Sequence, residues 1–194
     1  EVLDDLRQSE APEANRRAYA ETLWRFVFKG NLVGGMFNAD PHPGNYFFHE
    51  NGAVTFIDFG CVQKISDSKR PFARMIHRAA LDNDGPTFER GVSGLVDAKP
   101  GRLEALAQAY TRLCFEPLFS SPYRITRAYA ASLVSEMKTM GSEAKKLPEA
   151  DFFKMPVDML FMNRLQFGFY SVLARLDCEV DYASVEREFL PPNT

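Results

Sequence analysis

The sequence contains few cysteines, no excess of one charge sign and no long apolar run. The three cysteines, at positions 61, 114 and 178, have neither metal-site spacing nor the even number typical of a disulfide framework. This usage favours a reduced, intracellular protein. Lys and Arg total 23 against 26 Asp and Glu, a net charge of −3. That balance gives no broad positive field, so we expect no nucleic-acid partner.

No stretch approaches the ~20 uninterrupted apolar residues that a membrane-spanning helix needs. The nearest candidate, residues 156–176, is interrupted by the polar residues Asp158, Asn163, Arg164, Gln166 and Arg175. We therefore expect no membrane span in this chain.

The residues that are abundant favour a packed, mainly α-helical domain over residues 1–194. Hydrophobic residues make up 45% of the chain, including 17 Phe. Helices are predicted from Pro12 toward Gly30, from Pro71, from Pro156, and from Asp181 to about Leu190. Apolar residues recur at helical spacing in four stripes: Phe72, Met75, Ile76, Ala79 and Ala80; Leu103, Leu106, Tyr110, Leu113 and Cys114; Ile125, Tyr129, Leu133 and Met137; Leu165, Phe169, Val172, Leu173 and Leu176.

One β-hairpin is predicted near the end of the N-terminal third. Two β-prone runs, Tyr46-Phe-Phe48 and Ala53-Val-Thr-Phe-Ile57, flank the pair Asn51-Gly52. An Asn-Gly pair between such runs is the strongest short-range hairpin signal.

The residues that indicate chemistry lie on either side of this hairpin. Asp40 is followed five positions later by Asn45, and Asp58 begins an Asp-Phe-Gly triplet. Kinases use an Asp and an Asn at this spacing in the catalytic loop, followed by a metal-binding Asp-Phe-Gly. The hairpin would return Asp58 to the catalytic loop, where Asn45 and Asp58 could hold Mg²⁺ against the phosphates of ATP.

The histidines and Cys61 have less specific roles. His42 lies two residues after Asp40, where it either donates to a phosphate oxygen or holds the loop. We interpret His49, in the hairpin, and His77, on a helix, as structural. Cys61 directly follows Gly60 and is interpreted as a small packing residue.

The motifs resemble those of the UbiB/AarF-like atypical kinases, relatives of protein kinases linked to ubiquinone biosynthesis. The similarity is tight over Asn38-Ala-Asp-Pro-His-Pro-Gly-Asn45 and Phe56-Ile-Asp-Phe-Gly60, and looser along the later helices, including Met-Asn-Arg-Leu at 162–165. The resemblance implies a catalytic-loop role for Asp40 and metal-binding roles for Asn45 and Asp58. Asn38 departs from the family, which usually has His there, and this departure predicts a less rigid site.

The resemblance also implies the C-terminal lobe of a protein-kinase-like fold. The catalytic loop and metal-binding hairpin would occupy residues 37–60, and the helical body residues 69–190. A kinase needs a Gly-rich loop, a strand Lys and a helix Glu before its catalytic loop. The 39 residues before Asp40 show none of these in a suitable place, so we expect a separate N-terminal lobe outside this chain.

The activity expected from the resemblance is that of an Mg²⁺- and ATP-dependent kinase or ATPase. Its substrate would be a small or lipid-like molecule, in support of ubiquinone biosynthesis. The protein would act inside the cell, in the cytoplasm or peripherally at the inner face of a membrane. Two alternatives remain open: a small-molecule phosphotransferase of the aminoglycoside or choline kinase type, and a nucleotide-binding pseudokinase without turnover.

Overall fold

The structure is a computed structural model that describes residues 11–97, 99–144, 146 and 157–190. Most of these residues are helical, and they share one hydrophobic core. The helices are α1 (Glu13–Lys29), α2 (Arg70–Leu81), α3 (Gly85–Val96), α4 (Arg102–Cys114), α5 (Glu116–Phe119), α6 (Arg127–Ala144), α7 (Val157–Leu176) and α8 (Tyr182–Arg187).

Short strands form antiparallel pairs among the described residues. The predicted hairpin is present, and two further pairs accompany it. The strands are β1 (Met36–Asn38), β2 (Tyr46–Phe48), β3 (Val54–Phe56), β4 (Val62–Lys64), β5 (Tyr123–Arg124) and β6 (Glu179–Val180), which pair as β1–β4, β2–β3 and β5–β6.

The predicted apolar stripes supply much of the core. The second, third and fourth helical stripes lie on or next to α4, α6 and α7, and the first lies on α2. Trp24 of α1 is almost completely buried and packs against Phe28, Phe169, Tyr170 and Tyr182. Helix α1 is thereby fixed against the C-terminal half of the chain.

Three helix boundaries were predicted from single residues, and the structure describes two of them. The predicted stop at Gly30 is confirmed for the α-helix, which ends at Lys29 with Gly30 as its C-cap, but a π-helical turn (Gly30–Gly34) follows and the reversal occurs at Gly35, whose φ is 69°. Asp181 does cap the last helix, which ends at Arg187 and not at Leu190. The predicted start at Pro156 lies outside the described residues.

Tertiary contacts explain the π-helical turn that follows α1. Carbonyl groups at a helix end need donors from outside the helix. Arg74 of α2 donates through Nε to the Leu32 carbonyl at 2.7 Å, and Arg70 donates to the Val33 carbonyl. These contacts hold the turn that leads directly into β1 and the predicted catalytic loop.

Candidate functional site

Strand pairing brings the two predicted motifs side by side. In the β1–β4 pair, Asn38 faces Val62, and the Ala39 amide donates to the Cys61 carbonyl at 2.9 Å. The loop that carries Asp40 therefore begins next to the residues that follow the Asp-Phe-Gly triplet. The sequence analysis missed this pairing, because each strand has three residues and no alternation long enough to reveal it.

Asp40 and Asn45 are in direct contact. A 3-10 turn (Pro43–Asn45) closes the loop. The Asn45 side chain donates through Nδ2 to the Asp40 carbonyl at 3.1 Å and to Asp40 Oδ2 at 3.3 Å. The five-residue spacing thus becomes a closed loop that orients a half-buried carboxylate.

The hairpin ties the residue before Asp58 to the Asp40–Asn45 loop by a backbone hydrogen bond. At its base the Ile57 amide donates to the Asn45 carbonyl at 3.0 Å. Asp58 itself has a φ of 59°, a left-handed conformation that is uncommon for residues other than glycine. Its Oδ1 accepts from the Gly60 amide at 2.9 Å, and the residue is exposed. The carboxylate is therefore oriented and open to solvent.

Asn38 joins the two motifs. Its Nδ2 donates to the Asp58 carbonyl at 3.0 Å, and its Oδ1 accepts from the Asp40 amide at 3.1 Å. Although it lacks the ring of the usual His, one side chain fixes the backbone at both acidic residues. The bridge to Asp58 could not be predicted, but an Asn that accepts from the amide two residues later is a common local pattern.

The histidines occupy three different environments. His42 is exposed, and its Nδ1 accepts from the Gly44 amide at 3.0 Å, so it holds the loop. Its contact with a phosphate stays a prediction. His49 Nε2 lies 2.8 Å from Thr55 Oγ1, across the hairpin, and buried His77 contacts Glu186. Cys61 is partly buried against the core, as expected for a packing residue.

Tyr46, at the end of the loop, is buried. Its ring packs against the ring of Phe56, with 5.7 Å between the two centroids. Burial, with a smaller contribution from the negative charge of Asp40, raises the pKa of the Tyr46 hydroxyl above its usual range. Tyr46 therefore stays neutral at physiological pH. The sequence analysis assigned this residue only to a strand.

The donor chemistry fits a magnesium ion. Carboxylate oxygens and an amide oxygen are hard ligands, and Mg²⁺ completes its shell with water and phosphate. Asp58 offers an exposed carboxylate, and Asn45, which uses Nδ2 toward Asp40, also carries an amide oxygen. Within the described part of the chain, no three His, Cys, Asp or Glu side chains are grouped as an all-protein metal cluster.

An apolar rim of exposed residues lies on or near the strands of this region. Large apolar residues are 39–54% exposed on or near the strands of the site. The rim comprises Val33, Met36, Phe47, Ile57, Phe59 and Val62. Exposed apolar groups of this kind mark interaction surfaces when they are contiguous.

This fold and site define a mainly α kinase-like lobe. Residues 1–88 match the model of a family described as the ABC1 atypical kinase-like domain. The match covers under half of the chain and shows similarity to this kinase-like family, so the predicted kinase-like resemblance is confirmed.

Two curated relatives match short segments. A segment of 62 residues, 32% of this chain, is 37% identical to Uncharacterized protein slr0889 of Synechocystis sp., of which it covers 15%. A segment of 39 residues, 20% of this chain, is 41% identical to the Arabidopsis thaliana protein ACTIVITY OF BC1 COMPLEX KINASE 1, chloroplastic, of which it covers 6%. These matches therefore span small parts of both proteins.

A solved structure shares the fold across nearly the whole chain. It is titled the complex structure of Rv3197-erythromycin from Mycobacterium tuberculosis, with a TM-score of 0.65 and 18% sequence identity. The similarity covers 98% of this chain and 47% of that chain, so this chain spans less than half of its structural relative. The predicted fold class, a mainly α kinase-like lobe, is confirmed.

Among the described residues, no helix is both long and apolar enough to span a bilayer.

Proposed function

We propose that this lobe binds Mg²⁺-ATP together with an N-terminal lobe and transfers the γ-phosphoryl group to a small or lipid-like molecule or to water. The supporting observation is the hydrogen-bond network that joins Asp40, Asn45 and Asp58 through Asn38 and the base of the hairpin. Two independent surface turns are not expected to be joined by such hydrogen bonds. It fixes the backbone at Asp40 and Asp58 and holds the Asn45 side chain against Asp40.

The residues have separate roles in this proposal. Asp40 orients the acceptor hydroxyl or water and takes its proton, a general-base role. Asp58 and Asn45 would hold the magnesium ion, which supplies charge neutralisation at the phosphates. His42 holds the loop through Gly44 and donates through Nε2 to a phosphate oxygen, since its Nδ1 already accepts a hydrogen bond.

The apolar rim supports the need for a second lobe. Exposed Phe59, Met36 and Val62 lie beside the site, and this chain spans 47% of its structural relative. We propose that an N-terminal lobe covers this rim and contributes the phosphate-binding loop, with residues 1–194 acting as one C-terminal lobe. A part in ubiquinone biosynthesis, and an intracellular location with peripheral attachment to a membrane, complete the proposal on the strength of the resemblance.

The test is Mg²⁺-ATP binding by the whole protein, measured by calorimetry. Asp58→Ala removes the carboxylate that would hold the metal, so we expect ATP affinity to fall by about 10-fold or more, a cost of ~1.4 kcal/mol. The control is Glu136→Ala, which removes an exposed carboxylate from α6. Magnesium-dependent ATP binding that is equal in wild type and Asp58→Ala would refute the proposed metal site.

A further inference from the structure

We propose that Gly168 of α7 is a positioning residue that sets the place of Asp40 by direct contact with Pro41. This inference rests on the proposed function, because it concerns the same catalytic loop. A Cβ atom at position 168 would lie 2.4 Å from Pro41 Cγ and 3.4 Å from Pro41 Cδ. The first distance is far inside van der Waals contact, so only glycine lets α7 approach the loop this closely.

The proline side of the contact cannot move independently. Pro41 is buried, and its ring is bonded to the backbone at both ends. A side chain at 168 would therefore push the backbone that begins at the Asp40 carbonyl.

The helix side of the contact is also fixed. Phe169 is fully buried and packs against Trp24 and Phe28 with 6.0 Å between ring centroids in each pair. The Tyr170 hydroxyl donates to the Cys114 carbonyl at 2.8 Å. Since these neighbours of Gly168 hold α7 in place, the loop must absorb the displacement.

The displacement would affect Asp40 more than Asp58. The Asp40 carbonyl and Oδ2 both accept from Asn45, so movement of Pro41 disturbs this contact directly. The Asp58 carboxylate is held by the Gly60 amide on a separate turn. Gly168→Ala should therefore lower kcat by a larger factor than it raises the KM for Mg²⁺-ATP, since Asp58 stays in place while Asn45 and Asp40 lose their contact.

The experiment compares Gly168→Ala with Gly141→Ala in the whole protein. Gly141 lies on α6, and a Cβ there would meet nothing within 4 Å, so the control makes the same change on a helix without the contact. We expect Gly168→Ala to lower kcat by about 10- to 100-fold, the scale of small misplacements of catalytic groups. We expect Gly141→Ala to keep wild-type kcat.

A double-mutant cycle tests the contact itself. Pro41→Ala removes Cγ and Cδ but keeps Cβ, which would lie at an ordinary 3.5 Å from a Cβ at 168. When Pro41→Ala is already present, Gly168→Ala should cost no further stability or turnover, because the clash is gone. If Gly168→Ala alone folds poorly, the folded fraction of the wild type, the two single variants and the double variant is the quantity compared in the same cycle. Additive effects of the two substitutions would overturn the inference.

A readout without turnover separates this inference from the proposed function. The NMR resonance of the Asn45 side-chain amide reports its hydrogen bond to Asp40. The resonance should shift in Gly168→Ala and stay in place in Gly141→Ala. This comparison holds even if the wild-type protein turns over no ATP. Absence of turnover would then contradict the proposed function alone, whereas an unmoved Asn45 resonance in folded Gly168→Ala would overturn the positioning role.

Discussion

At the scale of single residues, Asn38 holds together two parts of the site that lie 20 positions apart in sequence. One amide group donates to the Asp58 carbonyl and accepts from the Asp40 amide. A carboxylate in its place would lack the donor, and an aliphatic side chain would lack both groups. The bifunctional amide therefore explains how the site is bridged without the histidine usual in the family.

Removal of this bridge should loosen the site. Asn38→Ala should lower kcat about 10-fold and stability by about 1 kcal/mol for each lost hydrogen bond. Asn38→His should restore part of the turnover, because its ring can donate to the Asp58 carbonyl. Steady-state kinetics and thermal unfolding of both variants check this. Wild-type kcat in a folded Asn38→Ala protein would show that the bridge is dispensable.

At the scale of elements, the short helix α8 depends on its N-terminal cap. Asp181 accepts from the Ser184 amide at 3.0 Å and from the Ser121 hydroxyl at 2.8 Å. Partial burial alone would raise its pKa, but these hydrogen bonds outweigh it and lower the pKa of Asp181. The ionised carboxylate thus stabilises the helix start and ties it to the segment after α5.

The cap predicts a pH-dependent stability difference. A lowered folded-state pKa means that the stabilisation is complete above the unfolded value, about 3.9, and is lost as pH falls through the folded-state pKa. Asp181→Ala should cost about 1 kcal/mol at neutral pH and less in acid. Asp181→Asn keeps a capping oxygen but cannot titrate, so it should cost less. Urea unfolding from pH 7 to pH 2 measures this, and a pH-independent cost of Asp181→Ala would contradict it.

The elements differ in how far local sequence predicts them. The hairpin follows from Asn51-Gly52, since the turn needs the positive φ of 85° that Gly52 adopts. The π-helical turn after Gly30 was not predictable, because Arg70 and Arg74 stabilise it from another helix. The β1–β4 pair likewise depends on a contact between distant segments.

The same distinction holds for the site. Asp40, Asn45 and Asp58 could be found from their spacing, which reflects a closed loop and a hairpin. Neither Tyr46 nor Gly168 could be assigned, because each acts through a contact that only the folded chain creates.

At the scale of the whole molecule, a buried polar network joins the N-terminal and C-terminal helices. Glu186 of α8 is fully buried and accepts from Trp24 Nε1 at 3.0 Å, while its other oxygen lies 2.8 Å from His77 Nδ1. Trp24 belongs to α1 and His77 to α2, so three helices share one carboxylate. Buried polar groups of this kind are costly when one partner is removed.

Loss of the shared carboxylate should destabilise the protein strongly. Glu186→Ala should lower the free energy of unfolding by about 3 kcal/mol, because it leaves the buried Trp24 Nε1 and His77 Nδ1 without their hydrogen-bond partner. Glu186→Gln should cost less, since its oxygen still accepts from Trp24. The control is Glu188→Ala, two residues on, which removes an exposed ion pair with Arg25. Equal costs for Glu186→Ala and Glu188→Ala in urea unfolding would contradict this account of the core.

In the proposed function Asp40 acts on the acceptor while Asp58 holds the metal and its nucleotide, and we claim this division of roles above all. The most direct test is ATP turnover and Mg²⁺-ATP affinity of Asp40→Asn in the whole protein, across a magnesium titration. The variant keeps the size and polarity of Asp40 but cannot take a proton. We predict a fall in turnover of about 100-fold or more, with unchanged Mg²⁺-ATP affinity. Full turnover by Asp40→Asn would contradict the claim, because Asp40 would then not be the group that takes the proton.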